Sequence, residues 1–295
     1  MELIRTVDAM QAHADAARAG GHTLALVPTL GALHDGHLAL VRTALEEVDH
    51  VTVSVFVNPT QFGPDEDYDD YPRDLAGDRA KLEALGVDVL FAPSVEEMYP
   101  FVDGDALPGP LAWVSVEHLD EHLCGAYREG HFRGVTTVVT KLFHACKPDV
   151  GVFGKKDAQQ YVILRRLVED LLFDIEILGV ETVREPDGLA ASSRNEYLDP
   201  NEREQATVLY EAVTAGEEAI EGGEQAAQAV VRPMQNALAS APDADVQYAD
   251  VVDARTLQPV DHLAPGQEVL AAVAVFFGDT RLIDNAFVQV PRPQP

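Results

Sequence analysis

His34 and His37 stand three residues apart at the end of the run Thr29-Leu30-Gly31-Ala32-Leu33-His34-Asp35-Gly36-His37. An apolar, strand-like segment at 23–27 precedes this run, and an amphipathic helical pattern begins near Leu38. A strand, a glycine-bearing loop and a helix N-terminus in that order form an anion site. Backbone N–H groups without intrahelical partners point outward there, at the positive end of the helix dipole. Imidazoles at i and i+3 project to one side and can donate to phosphate or ribose oxygens. Zinc would need further His or Cys ligands at matching spacing, and none follows. The chemistry predicted for this stretch is nucleotide binding.

The tetrad His34-Asp35-Gly36-His37 resembles the H-x-G-H motif of nucleotidyltransferases and class I aminoacyl-tRNA synthetases. Four letters can recur by chance, so its companions matter. The strand read at 51–57 ends in Asn58-Pro59-Thr60-Gln61-Phe62-Gly63. Asn58 and Gln61 are suited to reading hydroxyls or a carboxylate, and an ordinary Asn-Pro turn also accounts for them. The acidic run at 65–73 has the oxygens Mg²⁺ prefers; in so acidic a chain it reads as a solvated charge run, and no metal is assigned to it.

The strand at 150–153 leads into Gly154-Lys155-Lys156-Asp157-Ala158-Gln159-Gln160. Gly154 permits close backbone approach, and a lysine at a helix N-terminus can neutralise developing phosphate charge. Asp157 and Gln160 have capping-box spacing, which explains Asp157 as a cap and leaves Gln160 able to turn into a cleft. Ser192, Ser193 and Arg194 form either a phosphate clamp or a polar turn, just beyond a hinge read at 182–188. Arg128, His131 and Arg133 make another helix-entry anion site, or a capped loop.

Apolar, β-branched runs at 23–27, 51–57, 87–92, 150–153 and 175–180 must position these groups. Helical patterns at 38–48, 74–85, 135–146 and 157–172 alternate with them, which predicts a parallel sheet wound by helices. Ligands bind such sheets beyond the strands' carboxyl ends. Residues 104–110 read as a surface connection and 291–295 as a loose tail. After the hinge the pattern changes to helices at 201–220 and 224–238 and strands at 246–252 and 268–277, a smaller α+β part. The predicted division is 1–183 and 184–295.

With 295 residues, 46% of them hydrophobic, the chain can bury a sizeable core. A net charge of −29 argues against nucleic acid as a partner and against a tRNA-charging role. Only five of 21 basic residues are lysines. Abundant acid with scarce lysine reads as a salt-rich cytoplasm, ordinary solubility being the alternative. The few cations are expected to gather where anions bind. No apolar run approaches the roughly 20 residues a membrane helix needs, and Met1 to Arg5 lacks the build of a secretory signal. Cys124 and Cys146 suit neither a disulfide framework nor a metal site. A cytoplasmic protein is expected.

The blocks at 28–37, 57–63, 131–134, 154–160 and 192–198 together closely resemble the pantoate–β-alanine ligase (pantothenate synthetase) family. They occur in the family's order over about two-thirds of the chain. The resemblance implies a Rossmann-like α/β fold and a two-step reaction. ATP and pantoate give pantoyl adenylate and pyrophosphate; β-alanine then attacks the adenylate, giving pantothenate and AMP. Carried over by position, Leu30, Gly31, Ala32, Leu33, His34, Asp35, Gly36 and His37 contact ATP. His37 is the proton donor, His34 assists at the phosphates, and Lys156 stabilises charge. Gly154, Lys155, Asp157, Val183, Ala191, Ser192, Ser193 and Arg194 complete the ATP site. Gln61, Gln160 and Asn58 belong to the pantoate and β-alanine site. Mg²⁺ and a homodimer are also implied.

Three positions depart from the family pattern. Leu30 and Ala191 each replace a usual methionine, and Lys155 replaces a usual glutamate, a reversal expected to strengthen ATP binding at high salt. Two other readings stand beside the ligase: an adenylyltransferase acting on a phosphate acceptor, and a nucleotide-binding protein without turnover.

Overall fold

Leu24, Ala25, Leu26 and Val27 are all buried, as a strand covered by helices on both faces requires. They open the central strand of a computed structural model that describes residues 1–64, 66–100 and 110–292. Asp65, most of the connection at 104–110 and the end of the 291–295 tail lie outside the described residues. The chain divides into two units. One comprises residues 1–117, 128–155 and 163–181, the other residues 118–127, 156–162 and 182–295.

The first unit contains β1 (Glu2–Ile4), α1 (Val7–Ala19), β2 (Leu24–Thr29), α2 (Asp35–Glu47), β3 (His50–Val55), α3 (Leu75–Leu85), β4 (Val89–Phe91), α4 (Val95–Met98), α5 (His131–Cys146), β5 (Val150–Gly154) and β6 (Glu176–Val180). It also holds most of α6 (Ala158–Asp170), whose first turn belongs to the other unit. Its six strands form one sheet in the order β1-β4-β3-β2-β5-β6, every pair parallel. This is the helix-wound α/β sheet expected. β1 and α1 precede the elements read from the sequence; a three-residue strand carries too little periodicity to be seen. Strand order reverses between β2 and β5, so the loops leaving those two strands flank the switch point where such sheets bind ligands.

Gly134, in the first turn of α5, lets that helix approach the chain after β3. A Cβ there would stand 2.2 Å from the Thr60 carbonyl oxygen.

In the second unit, α7 (Pro200–Gln205), α8 (Val208–Glu221) and α9 (Ala227–Leu238) accompany an antiparallel sheet β7-β8-β9. Its strands are β7 (Ala244–Asp253), β8 (Glu268–Phe277) and β9 (Thr280–Gln289). The core joins Leu209, Val213, Val230 and Met234 to Val269, Ala271, Val273 and Val275. The single helix expected at 201–220 is two. The backbone tightens at the join to three-residue bonds, Leu209 N to Ala206 O and Tyr210 N to Thr207 O. β9, absent from the sequence reading, returns from β8 through a turn in which Gly278 takes φ +53°.

At the amino-terminal edge of the parallel sheet, His50 meets His13 of α1, their Nε2 atoms 2.9 Å apart and sharing one proton. Glu2 lies 3.1 Å from His13 Nδ1 and Asp88 lies 3.6 Å from His50 Nδ1. Burial lowers the His50 pKa, and His13 and His22 press the same way, outweighing the opposite pull of Asp88 and Glu2. The unfolded chain therefore takes this proton more readily than the folded one. The stabilisation is present above the unfolded value of about 6.5 and is lost as pH falls through it toward the folded value. His50→Gln should accordingly lose less stability than the parent between about pH 7.5 and about pH 5.5, compared by urea midpoints at each. Equal losses would refute this role for His50.

Candidate active site

The loop leaving β2 is held from below by a side chain the sequence reading missed. Asp78 of α3 is 1% exposed; its Oδ2 accepts from Ala32 N at 3.0 Å and its Oδ1 from Leu33 N at 2.7 Å. Lys81, one turn on, donates to the Leu33 carbonyl. Gly31 takes φ +96°, and a Cβ there would sit 3.0 Å from Val55 Cγ1 and 3.2 Å from Asp78 Oδ2. Its N–H is accepted by Thr29 Oγ1 at 3.2 Å, while that hydroxyl donates to the Ser54 carbonyl at 2.8 Å. The signal was present in the sequence: Asp78 lies on the same helical stripe as Leu75, Leu82 and Leu85, where an unpaired carboxylate would be costly.

The two histidines cap α2 reciprocally. His34 Nδ1 accepts from Gly36 N at 3.1 Å, and His37 Nδ1 accepts from His34 N at 3.4 Å. An Nδ1 that accepts holds a lone pair, so each neutral ring carries its proton on Nε2. The ring centroids are 4.1 Å apart. This corrects the sequence expectation in one respect. The N–H groups of Gly31, Ala32, Leu33, His34 and Gly36 are all bonded within the protein. Leu30 is half-buried, and Asp35, exposed in the first turn of α2, faces the positive end of the helix dipole.

After β3, Asn58 is fully buried and bonded at both ends of its amide. Its Nδ2 donates to Gln61 Oε1 at 3.0 Å and to the Gly134 carbonyl at 3.3 Å. Its Oδ1 accepts from Tyr99 Oη at 2.8 Å and Thr60 Oγ1 at 3.0 Å. Burial raises the Tyr99 pKa against the lowering bond from Thr60, keeping the phenol a donor. With its Oε1 engaged, Gln61 has Nε2 as the donor end of its amide. Arg128, offered by the sequence as an anion ligand, is instead paired with Glu66 of the acidic run.

At the end of β5, in the same unit, Lys155 forms an ion pair with Glu181. Lys155 is thus met locally by a carboxylate.

Gly154 ends β5 in that unit, and the second unit contains the remaining predicted residues. Asn285 Nδ2 donates to the Lys156 carbonyl at 2.8 Å. Asp157 is exposed at the end of a 3-10 turn, and Gln160 is half-buried in the first turn of α6. Its neighbour Gln159 is buried and structural, bonding the Leu119 and His122 carbonyls and Gly125 N. Val183 and Ala191 are joined by Ala191 N to Val183 O at 2.9 Å. Ser192 then caps the 3-10 turn Ser193–Tyr197, accepting from Arg194 N at 3.3 Å. Arg184 supports the segment through Asp284, at 2.6 and 3.0 Å. Val183, Ala191, Ser192, Ser193 and Arg194 therefore belong to one local framework. Cys124 and Cys146 are buried free thiols, and burial pushes the Cys146 pKa up.

Among the described residues no group of three or more His, Cys, Asp or Glu side chains is placed to hold a metal ion.

A family profile described as pantoate-beta-alanine ligase matches residues 2–287. A pantothenate synthetase of Salinibacter ruber is 85% identical over 294 residues, covering all of both chains. The crystal structure of pantothenate synthetase from Thermus thermophilus is similar with TM-score 0.88 and 44% identity, over 99% of this chain and 100% of that one. The Francisella tularensis pantoate-beta-alanine ligase, complexed with beta-gamma ATP and beta-alanine, is similar with TM-score 0.78 and 32% identity, over 97% of each.

Asp78→Ala would strand the buried Leu33 N–H and the part-buried Ala32 N–H that now bond a carboxylate, and a loss of about 3 kcal/mol in urea unfolding is expected. Asp78→Asn, which retains one carbonyl acceptor, should recover about half. A change within about 0.5 kcal/mol for Asp78→Ala would show that the loop does not depend on this contact.

Proposed function

The chain belongs to the pantoate-beta-alanine ligase family, and we propose how its residues divide the reaction that membership entails. It joins pantoate to β-alanine at the expense of ATP, through pantoyl adenylate, releasing pyrophosphate and AMP. The full-length match to the family carries this reading. The loop after β2, at the sheet's switch point, supports its nucleotide-binding half.

In the first step the pantoate carboxylate attacks the α-phosphorus, an O–P bond forms and the bond to pyrophosphate breaks. The imidazoles of His34 and His37, each protonated on Nε2, are donors to the phosphates, because the N–H groups of Gly31, Ala32, Leu33, His34 and Gly36 are already bonded within the protein. His37 protonates the leaving group. Lys156, Ser192, Ser193 and Arg194 neutralise charge on the departing pyrophosphate. Leu30 to Gly36, Gly154, Lys155, Asp157, Val183 and Ala191 line the nucleotide. Gln61, its amide oriented by Asn58, and Gln160 hold pantoate. In the second step the deprotonated β-alanine amine attacks the acyl carbon and AMP leaves. The substrate is already activated, so no enzyme nucleophile is needed.

Among the described residues the donor set does not build a cage for Mg²⁺. We assign the ion to the substrate, entering with ATP on phosphate and water oxygens, as is usual for this metal. We also place the protein in the cytoplasm, as a homodimer without nucleic-acid or membrane partners. Two free buried thiols support this placement, and no helix among the described residues is long and apolar enough to cross a membrane.

AMP should accumulate only with ATP, Mg²⁺, D-pantoate and β-alanine together, and leaving out β-alanine should limit pyrophosphate to about one equivalent per chain. EDTA should abolish turnover, with excess Mg²⁺ restoring it, and metal analysis of the purified protein should find no stoichiometric Mg²⁺. A series in KCl reads the meaning of the acidic composition. Bound ATP with no AMP at any salt would overturn the ligase reading, and stoichiometric resident Mg²⁺ would overturn the assignment of the ion to the substrate.

A further inference from the structure

The segment at 128–134 and the acidic run at 66–73 meet in the first unit. Arg128 grips Glu66 with two parallel bonds, Nε to Oε1 and Nη2 to Oε2, each 2.7 Å. Its third nitrogen, Nη1, lies 3.0 Å from His131 Nε2. A guanidinium only donates, so Nε2 is the acceptor and the neutral imidazole of His131 carries its proton on Nδ1. That proton is donated to the backbone carbonyl of Gln61 at 2.7 Å. The circuit closes two residues further on, where Gly63 N donates to Glu66 Oε2 at 3.2 Å.

Each link constrains the next. Burial raises the cost of ionising Glu66, and the bonds and charge of Arg128, together with the Gly63 N–H and the neighbouring His131, outweigh it, so the carboxylate stays charged. A charged Glu66 fixes the guanidinium plane. The guanidinium fixes the His131 tautomer, and the tautomer supplies the only hydrogen that imidazole can offer the Gln61 carbonyl. Gln61 is then held twice, by Asn58 through its side chain and by His131 through its main chain. The neighbouring backbone contact of Gly134 with Thr60 blocks retreat of the turn toward α5.

We propose that Glu66, Arg128 and His131 are positioning residues that set the placement of Gln61 for pantoate and touch none of the three substrates. Arg128, its charge met by Glu66, is a structural cation in this chain and not an anion ligand. The inference rests on the proposed role of Gln61 in holding pantoate.

Steady-state kinetics of the full chain test it, with His131→Phe, His131→Asn, Glu66→Gln and Gln61→Ala compared and each variant's melting temperature recorded. Asn offers an amide N–H near the place of Nδ1–H, whereas Phe keeps the ring and loses the donor. A misplaced Gln61 should raise the pantoate KM of His131→Phe about tenfold, with the ATP KM changed less than about twofold. His131→Asn should recover most of that loss. Glu66→Gln should raise the pantoate KM by less, and added to His131→Phe it should cost little more, because one circuit is already broken. If His131→Phe does not fold, Glu66→Gln carries the same test. Pantoate and ATP KM rising together, or Asn rescuing no better than Phe, would overturn the positioning role. An unchanged pantoate KM in Gln61→Ala would overturn the reading beneath it, and the inference with it.

Discussion

A buried carboxylate under the loop that leaves β2 is the contact on which the placement of α2 and its two histidines depends. Asp78 neutralises two backbone donors that would otherwise point into the protein, at Ala32 and Leu33. Ala32 has φ +51° and Gly31 φ +96°, so two consecutive residues lie in the left-handed region. Such a backbone persists only where its surroundings over-determine it. Val55, Asp78 and Thr29 do so here, and their grip sets where α2 begins and hence where both histidines stand.

The same contact redistributes the work of anion binding. A glycine-bearing loop before a helix suggests phosphate on backbone N–H groups, yet here those of Gly31, Ala32, Leu33, His34 and Gly36 are satisfied by Thr29, Asp78 and the reciprocal histidine cap. What the arrangement offers instead is two imidazoles in a known tautomer. Capping costs each ring its Nδ1 lone pair and thereby places its proton on Nε2. The pattern recurs after β3, where Asn58 spends both ends of its amide within the protein and so orients Gln61. In both places a saturated residue behind the site determines which atom of its neighbour is presented.

Much of this was legible in the sequence because the relevant signals are local. The β2 loop, the Asn58 turn, the lysines after β5 and the serines at 192–193 each lie where a strand or turn ends. The resemblance to the ligase family rested on these blocks, and the full-length match bears it out. What escaped notice was non-local or weakly periodic. Asp78 lies 45 residues beyond Leu33 and Glu66 lies 62 residues before Arg128, and no spacing rule connects either pair. β1 is too short to alternate, and β9, whose polar Asp284 and Asn285 are buried in mid-strand, interrupts the expected pattern. Both polar residues have partners from afar: Arg184 for Asp284 and the Lys156 carbonyl for Asn285.

Charge shows most clearly how tertiary context altered the reading. With 50 acidic and 21 basic residues, the cations were expected to gather at anion sites. Instead, Arg128 pairs with Glu66, Arg184 with Asp284, Arg203 with Glu185 and Asp187, and Lys155 with Glu181. An excess of carboxylates makes an unpaired cation rare, so a basic residue near a site is as easily scaffold as ligand. The buried pairs have different consequences from the exposed ones. Asp284 is almost wholly buried, so loss of Arg184 would leave a carboxylate stranded in a poorly solvated place. Glu181, by contrast, is largely exposed, and salt screens a pair of that kind. The charge of Lys155 is therefore felt least at low ionic strength, where Glu181 holds it, and salt that weakens the pair also screens what Lys155 could offer a phosphate. Opposing screening effects of this kind make the sign of its salt dependence a property of the pair, not of the lysine alone.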